Sequence, residues 1–432
     1  MNELAVQLNE TLKGTVAEDL LSDIGRRMYF PKGIVAQSAE AKTLATKYNA
    51  TIGMAVKDGQ PMYLSDIYSQ FVPGAFKPAD IFSYAPGGGV KELRELWKKE
   101  MVEKNPSLKS KLVSNPIVTS GLTHSISTIC QLFAGPGDTL VIPDLAWDNY
   151  ELMFSALNDC KVKTFKMYDE AMGYNVAGLV EAVRGIPDKK ARLILNFPNN
   201  PTGYTPSEAE MGLLADALKG LADDGYKLLV ISDDAYFGLF YEKDTAKESL
   251  FSKLCDLSPN ILAVKGDAAT KEAMVWGFRI AFVTFGCKGF SQAQYDALEK
   301  KMMGIIRATV SNCDHPGQSL LVHAMKSASY RSDKRKVLEE MQGRYEVFHE
   351  ALKEFEDKYD LLRPYPFNSG YFMAFATKGD AEELRRRLLD VYHIGCINIA
   401  GSVLRVAYCS VEKKDIPDLI GLIYKAAGEV WS

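Results

Sequence analysis

Short apolar runs alternate with helical patterns through the middle of the chain, and this alternation constrains the fold more than any other feature. Six runs predict strands, at 115–121, 138–143, 191–198, 226–234, 260–267 and 279–286. Several of them are apolar on both faces, as strands buried in a parallel or mixed sheet are. Helical stretches lie between them, at 123–133 and at 207–225. The second begins with Ser207 as a cap and ends at Gly225. Such alternation predicts an α/β doubly wound domain with a mostly parallel sheet.

The C-terminal part of the chain has a different pattern. A long charged helical run at 331–358 is followed by a strand at 370–377, a helix near 380–392, the strands in "CINIA" and "LRVAYCS", and a last helix from about 413. This order is typical of a smaller α+β domain. We therefore expect a large α/β domain over 65–315 and a small domain made of 1–64 and 316–432.

Charge and composition exclude several classes of function. The 51 Lys and Arg residues against 55 Asp and Glu give a net charge of −4. No basic run marks a nucleic-acid surface, so we expect no nucleic-acid partner. The seven cysteines are scattered without a C-x-x-C pair, and the five histidines lack ligand spacing, so we expect reduced thiols and no metal. The N-terminus lacks a signal-peptide pattern, and no apolar run approaches the roughly 20 residues that span a bilayer. These features predict a soluble, cytoplasmic protein with no membrane partner.

Two cations stand in mostly apolar surroundings in "GDAATKEAMVWGFRIAF", the segment 266–282. Lys271 and Arg279 are eight residues apart there, and burying unpaired charge is costly. Each could instead be an exposed charge on an amphipathic segment. Polar clusters also follow four predicted strands: "TSGLTH", "NFPNNPTG", "SDDAY" and "KGDAATK". Any one of them is compatible with an ordinary turn. Ligands of open α/β sheets bind beyond the carboxyl ends of the strands, so together the clusters predict one ligand crevice.

The order of these motifs resembles that of the class I aminotransferases, the aspartate aminotransferase-like, fold-type I enzymes that use pyridoxal 5′-phosphate. The resemblance runs from "YAPGGGVKELR" (84–94) to "LRVAYC" (404–409). It depends on N-P-T-G, then D-x-A-Y, then a lysine with an arginine eight residues on, then a late arginine. Judged by "GDAATKE" and "SDDAYFGLFYE", the chain is most similar to a divergent aspartate aminotransferase subgroup.

The resemblance explains the two cations. Lys271 matches the family lysine that forms a Schiff base with the cofactor aldehyde, a role that needs a partly deprotonated amine. Arg279 matches the arginine that binds the cofactor phosphate, which a guanidinium fork fits bidentately. Lys265 is the competing candidate for the Schiff-base lysine, but it lies on a strand and does not have the arginine spacing.

The same resemblance assigns the groups around the cofactor ring. Asp233 matches the aspartate that hydrogen-bonds the pyridine nitrogen and keeps it protonated, so that the ring accepts electrons from the substrate. Asp234 is the alternative, although the D-x-A-Y spacing selects Asp233. Tyr236 and Asn200 match the two residues that hydrogen-bond the phenolic oxygen of the cofactor. Trp147 resembles the aromatic residue stacked on the ring, with simple core packing as the alternative.

The expected phosphate site departs from the family in one ligand. Gly121, Leu122 and Thr123 begin a helix whose N-terminus would bind the phosphate through backbone N–H groups. The family usually has a serine three residues before the lysine, and here that position is Ala268. Thr270 or Thr123 is expected to replace the missing hydroxyl.

Three further residues would determine which substrate is bound and how two subunits associate. Arg405 matches the arginine that binds the α-carboxylate of the substrate. Arg307, followed by Ser311 and Asn312, resembles the stretch in which an arginine of the partner subunit binds the side-chain carboxylate of aspartate or glutamate. Tyr84 resembles a phosphate-binding tyrosine that also comes from the partner. The resemblance therefore implies a homodimer with shared active sites, whereas a solvated Arg307 would imply no preference for acidic substrates.

The leading hypothesis is an aminotransferase that moves an amino group between an L-amino acid, most simply aspartate or glutamate, and a 2-oxo acid. A carbon–sulfur β-lyase on the same scaffold would use the same Lys271 and Asp233 without a site for a side-chain carboxylate. An aminotransferase for aromatic or apolar amino acids is a further alternative. The last is a non-catalytic, cofactor-binding regulator module, which the missing basic winged-helix segment disfavours.

Overall fold

The computed structural model describes residues 1–31 and 33–431. Before the central sheet, the described residues form seven α-helices: α1 (Glu3–Leu12), α2 (Val16–Leu20), α3 (Asp23–Arg27), α4 (Ile34–Leu44), α5 (Ser65–Tyr68), α6 (Pro78–Phe82) and α7 (Lys91–Lys104). Three two-residue strands lie among them: β1 (Tyr48–Asn49), β2 (Val56–Lys57) and β3 (Gln60–Pro61). Strands β2 and β3 pair with each other as a small hairpin.

A seven-stranded sheet forms the centre of the molecule. Its strands are β4 (Ile117–Thr119), β5 (Thr139–Pro143), β6 (Lys161–Phe165), β7 (Lys190–Asn196), β8 (Lys227–Asp233), β9 (Ile261–Ala268) and β10 (Ala281–Gly286). They lie in the order β4-β10-β9-β8-β7-β5-β6. All are parallel except β10, which runs antiparallel to both of its neighbours. Six of these strands are the apolar runs of the sequence, and the expected α/β architecture with a mostly parallel sheet is confirmed.

Helices connect and cover these strands. They are α8 (Leu122–Phe133), α9 (Asn149–Glu151), α10 (Val176–Arg184), α11 (Glu208–Asp223), α12 (Leu250–Leu254), α13 (Ala269–Glu272), α14 (Gln292–Thr309) and α15 (His315–Lys326). Helix α9 continues into a π-helical turn at Leu152–Ala156, and short 3₁₀ turns occur at Pro106–Leu108 and Trp276–Phe278. Helix α11 begins with the expected Ser207 cap, and Glu210 completes a capping box with it.

A second, four-stranded sheet lies in the C-terminal part. The strands there are β11 (Leu362–Pro364), β12 (Met373–Thr377), β13 (Ile394–Gly395), β14 (Ile397–Ile399) and β15 (Val403–Val406). The sheet order is β11-β12-β15-β14, with antiparallel neighbours throughout. Strand β13 pairs instead with β1 from the N-terminal segment. The helices are α16 (Tyr330–Leu352), α17 (Ala381–Tyr392) and α18 (Ile416–Trp431), with 3₁₀ turns at Lys353–Lys358, Tyr408–Ser410 and Lys413–Asp415.

The path of the chain through the central sheet brings polar residues to one edge, the edge formed by the carboxyl ends of the parallel strands. The carboxyl ends of β7, β8 and β9 lie side by side, and their register aligns Asn196 with Asp233 and Asp233 with Gly266. Strand β15 of the second sheet carries Arg405 toward the same edge, where it meets Asn200. The crevice predicted at the strand ends therefore lies between the two sheets. Over residues 1–31 and 33–431, no helix combines the length and the apolar character that crossing a bilayer requires.

Candidate active site

One cavity of about 360 Å³ lies at this edge of the sheet. Most of the predicted site residues line it: Leu122, Thr123, Trp147, Asn200, Asp233, Tyr236, Lys271, Arg279 and Arg405. Thr270, one of the two expected substitutes for the missing serine, lines it as well. The cavity thus collects residues that are almost 300 positions apart in the chain, which a set of unrelated turns would not do.

Lys271 projects into the cavity from the short helix α13, directly after β9. Its Nζ lies 4.5 Å from the centre of the Tyr236 ring. Burial lowers the pKa of Lys271 to about 8, the negative charge of Asp233 opposes that change, and the positive charge of Arg279 adds to it. A substantial fraction of this amine is therefore neutral near physiological pH, as a nucleophile or a base must be.

Asp233 ends strand β8 and is buried at the floor of the cavity. The Tyr150 hydroxyl donates a hydrogen bond to one carboxylate oxygen, and the Ala235 N–H donates to the other at 3.1 Å. Burial raises the pKa of Asp233, while the Tyr150 bond and the charge of Lys271 act in the opposite direction. A buried carboxylate held in this way has a strong preference for a cationic hydrogen-bond donor as its next partner.

The two competing candidates, Lys265 and Asp234, pair with each other outside the cavity. Lys265 is completely buried and forms an ion pair with Asp234 and a second one with Asp267 at 3.4 Å. Ser249 donates to the same Asp234 oxygen at 2.6 Å. Successive side chains of an extended segment point to opposite sides, so Asp234 faces away from the cavity that Asp233 faces. Their charges are matched by each other, and neither is available to a ligand.

An anion site lies at the N-terminus of α8. Gly121 has φ of 83°, and a Cβ there would lie 2.3 Å from a guanidinium nitrogen of Arg279. The glycine therefore lets Arg279 approach the first turn of the helix, where Leu122 and Thr123 begin. The Thr270 hydroxyl is buried without a hydrogen-bond partner among the described residues. A guanidinium, a helix N-terminus and an unpaired hydroxyl together suit a phosphate dianion.

Arg405 approaches the cavity from β15 on the opposite side. It donates to Asn200 Oδ1 at 3.0 Å and to the Thr51 carbonyl at 2.8 Å, and its guanidinium lies 4.4 Å from the centre of the Phe372 ring. Its Nε is buried and has no partner in the described part of the chain. Burial lowers the pKa of Arg405, although nearby Asp148 opposes the change. An unpaired donor on a buried guanidinium is a site for a carboxylate.

Sequence reasoning missed several residues that line the cavity. Tyr150 and Asn196 contact Asp233, and Asn196 lies at the carboxyl end of β7, a position that strand-end reasoning could have found. Phe372 comes from the second sheet, and no motif marks it. The N-terminal segment also contributes two short stretches, at 34–38 and 51–53. Nothing in their sequences indicates that they cover a crevice.

Tyr84 and Arg307 do not line the cavity, and both are exposed at the surface. Tyr84 is 88% exposed, and Arg307 is exposed and donates to Ser311. The two segments are joined: the Asn312 amide donates to the Ala85 carbonyl at 2.8 Å. Nδ1 of His315 lies 2.8 Å from the Ser83 carbonyl and donates to it. The segments next to Tyr84 and Arg307 are therefore held against each other, and neither residue lines the cavity of its own subunit.

The fold and the cavity define a class of protein. A mostly parallel seven-stranded sheet with a half-buried lysine, a buried aspartate and a phosphate-type anion site at its edge is the arrangement of the fold-type I pyridoxal-phosphate enzymes. The family model for aminotransferase class I and II matches residues 66–423. The chain belongs to this family, whose cofactor is pyridoxal 5′-phosphate.

Individual relatives are distant. A Bacillus subtilis (strain 168) protein named "Probable N-acetyl-LL-diaminopimelate aminotransferase" is 25% identical over 56% of this chain and 56% of its own length. The aspartate aminotransferase of Sulfolobus acidocaldarius is 25% identical over 75% of this chain and 76% of that protein. The crystal structure of an aminotransferase from Anaerococcus prevotii DSM 20548 superimposes with a TM-score of 0.82 at 24% identity, covering 94% of this chain and 98% of that one. The chain thus matches little more than half the length of the first of these relatives.

The residues present fit the cofactor. The unpaired Thr270 hydroxyl, the Arg279 guanidinium beside Gly121 and the start of α8 would provide donors for the phosphate. Asp233 would provide a buried anion for the ring nitrogen, and Lys271 would provide the amine. The phosphate, the ring nitrogen and the aldehyde of pyridoxal phosphate would therefore each meet a complementary group in this one cavity.

Proposed function

We propose that the protein is a pyridoxal-phosphate-dependent aminotransferase that moves an amino group between aspartate or glutamate and a 2-oxo acid. The observation that carries this proposal is the convergence of Lys271, Asp233 and the half-satisfied Arg405 in one cavity. The aspartate aminotransferase of Sulfolobus acidocaldarius supports the choice of substrate. The Bacillus subtilis relative is named for a different substrate, so membership of the family does not by itself select aspartate.

Each ligand of the cofactor has a defined task. When bound, pyridoxal phosphate supplies an electron sink for the charge that develops at the substrate Cα. Asp233 would hold a proton on the ring nitrogen, and the Tyr150 hydrogen bond fixes the orientation of its carboxylate. Tyr236 and Asn200 would bond the phenolic oxygen, and Trp147 would pack against the ring.

The remaining residues of the cavity act on the phosphate and the substrate. Arg279, Thr270 and the first turn of α8, with Gly121, bind the phosphate. Arg405 binds the α-carboxylate and so orients the Cα–H bond toward Lys271. Because the pKa of Lys271 is about 8, its Nζ can accept the Cα proton and later return it.

The second substrate carboxylate requires a partner subunit in this proposal. The proposal places Arg307 and Tyr84 on one face, because both are exposed and the segments next to them are joined by the Asn312 amide. Large apolar side chains are exposed in the same part of the chain: Tyr68 at 64%, Phe71 at 60% and Phe82 at 86%. A homodimer would cover this face and bring Arg307 and Tyr84 into the partner's cavity. An arginine at each end would then hold a dicarboxylate in a site that excludes water.

The proposal also covers the domain boundaries of the chain and the cellular compartment of the protein. Residues 65–315 would form the large cofactor-binding domain, and 1–64 with 316–432 the small one. All seven cysteines are unpaired and buried. Reduced thiols of this kind are usual in the cytoplasm, which we propose as the location.

A half-reaction screen tests the proposed activity. The purified holoenzyme is mixed with one amino acid at a time, and the visible band of the bound cofactor is followed. We expect aspartate and glutamate to bleach the band fastest and aspartate to yield oxaloacetate. Bleaching by aromatic or apolar amino acids alone would contradict the substrate assignment. Release of ammonia and pyruvate from a sulfur amino acid, without transamination, would indicate the β-lyase instead.

A further inference from the structure

A second cavity, of about 370 Å³, lies behind the active site. It is bounded by the C-terminus of α7, the loop that follows β8, the helix α13 and one face of α16. Of the described residues, Lys271 alone lines both cavities, so the turn that carries Lys271 and Glu272 separates them. None of the roles proposed above uses this space.

The inner wall of the second cavity carries matched charges. Glu272 accepts hydrogen bonds from Lys104 at 2.7 Å and from Lys334, and Lys334 also donates to Glu100 at 2.6 Å. These two lysines hold the pKa of Glu272 well below its usual range against the effect of burial. The two lysines and the two glutamates therefore neutralise one another, and this group has no net charge.

The outer wall carries more positive than negative charge. Arg331 pairs with Glu103, but Lys247 donates to neutral oxygens only, the Glu242 carbonyl and the Thr245 hydroxyl at 2.8 Å. The Arg335 side chain has neither a hydrogen bond nor an ion pair within residues 1–31 and 33–431. Lys247 and Arg335 are thus exposed cations without an ion pair in the described part of the chain, although the charges of Asp244, Glu242 and Glu208 still act on Lys247.

The rest of the lining is apolar and partly aromatic. The rings of Phe237 and Phe240 are 5.3 Å apart in an edge-to-face arrangement, and Leu239 and Leu338 complete the wall. The Lys247 ammonium lies 5.4 Å from the centre of the Phe240 ring. An apolar wall beside unmatched cations suits a molecule that has an apolar body and an anionic head.

We propose that this second cavity binds a small organic anion, with its carboxylate or phosphate on Lys247 and Arg335 and its apolar body against Phe237 and Phe240. The site is separate from the proposed amino-acid site and does not depend on its substrate. Its wall includes Glu272, the residue after Lys271, and α16, the helix that leads into the second sheet. A molecule bound there would contact the lysine turn of the active site and the connection between the two sheets.

Fluorescence titration of the holoenzyme with 8-anilinonaphthalene-1-sulfonate, a flat apolar anion, tests the proposal. We expect saturable binding that Arg335→Ala and Lys247→Ala each weaken at least fivefold. Lys336→Ala is the matched control, because Lys336 is the next residue on α16, pairs with Asp333 at 3.0 Å and does not line the cavity. This control should change the affinity less than twofold.

The titration is repeated with Arg405→Ala, a variant that removes a cation from the active-site cavity and leaves the lining of the second cavity unchanged. The affinity of the probe should then stay the same within twofold. A loss of fivefold or more in Arg405→Ala would place the probe in the active site and overturn the proposal. Absence of saturable binding, or equal affinity in all three variants and the wild type, would overturn it as well.

Discussion

Replacing Lys271 by methionine in the cofactor-free protein should change how the stability of the fold depends on pH. Burial lowers the pKa of this lysine from 10.5 to about 8. Between these two values the unfolded chain binds a proton that the folded chain does not bind. Stability therefore rises with pH across this window and is lowest, for this group, below pH 8. The wild type should gain stability relative to Lys271→Met as the pH is raised.

The magnitude follows from the two pKa values. From pH 7 to pH 9.5 the linkage relation gives a gain of about 2 kcal/mol in the free energy of unfolding. This is an upper value, since the Lys271 side chain keeps some contact with water in the cavity. Urea unfolding of both apoproteins at the two pH values measures it as the difference between wild type and variant. A difference that stays constant within about 0.5 kcal/mol, or that moves in the opposite direction, would refute the conclusion that burial destabilises the charged form of Lys271.

Three further results are expected from the site. Borohydride reduction of the holoenzyme should fix the cofactor to Lys271, and a labelled peptide containing Lys265 instead would refute the assignment. Asp233→Ala should lose several orders of magnitude in kcat and retain its fold. Asp234→Ala should mainly lower the melting temperature, because it removes a partner of the buried Lys265; equal losses of kcat in both variants would remove the distinction. Mixing Lys271→Ala chains with Tyr84→Ala chains should restore activity in mixed dimers, whereas an active monomer in light scattering would exclude shared sites.

The sequence predicts the parts of the fold that depend on local pattern. Buried strands such as β8 and β9 are continuous apolar runs, and the residues that follow them lie at the sheet edge because parallel strands end on the same side. Strand β6, with the sequence "KVKTF", is not predicted, because it is an outermost strand of the sheet and alternates two lysines, an exposed Lys161 and a half-buried Lys163, with its apolar residues. A search for continuous apolar runs does not detect such a strand.

The parts of the site that tertiary packing decides could not be predicted in this way. Asp233 and Asp234 are adjacent carboxylates, and their different surroundings follow from Lys265, which lies on another strand. Tyr150 reaches Asp233 from the segment after β5, and Phe372 supports Arg405 from the second sheet. These contacts depend on the path of the chain between distant elements, which no local motif reports.

The central claim is that the protein is an aminotransferase for dicarboxylates and that each active site includes Arg307 of the partner subunit. The most direct test compares the substrate specificity of the wild type with that of Arg307→Ala. The measurement is kcat/KM for aspartate and for alanine in the wild type, in Arg307→Ala and in a control, Lys301→Ala, which removes another exposed cation from the same helix α14. We expect Arg307→Ala to cost aspartate about 3–5 kcal/mol of transition-state binding, because a desolvated carboxylate loses its partner. Alanine should be nearly unaffected, and so should both substrates in the control. An equal loss for the two amino acids, or a wild type that prefers aromatic or apolar donors to aspartate by tenfold or more, would contradict the proposal.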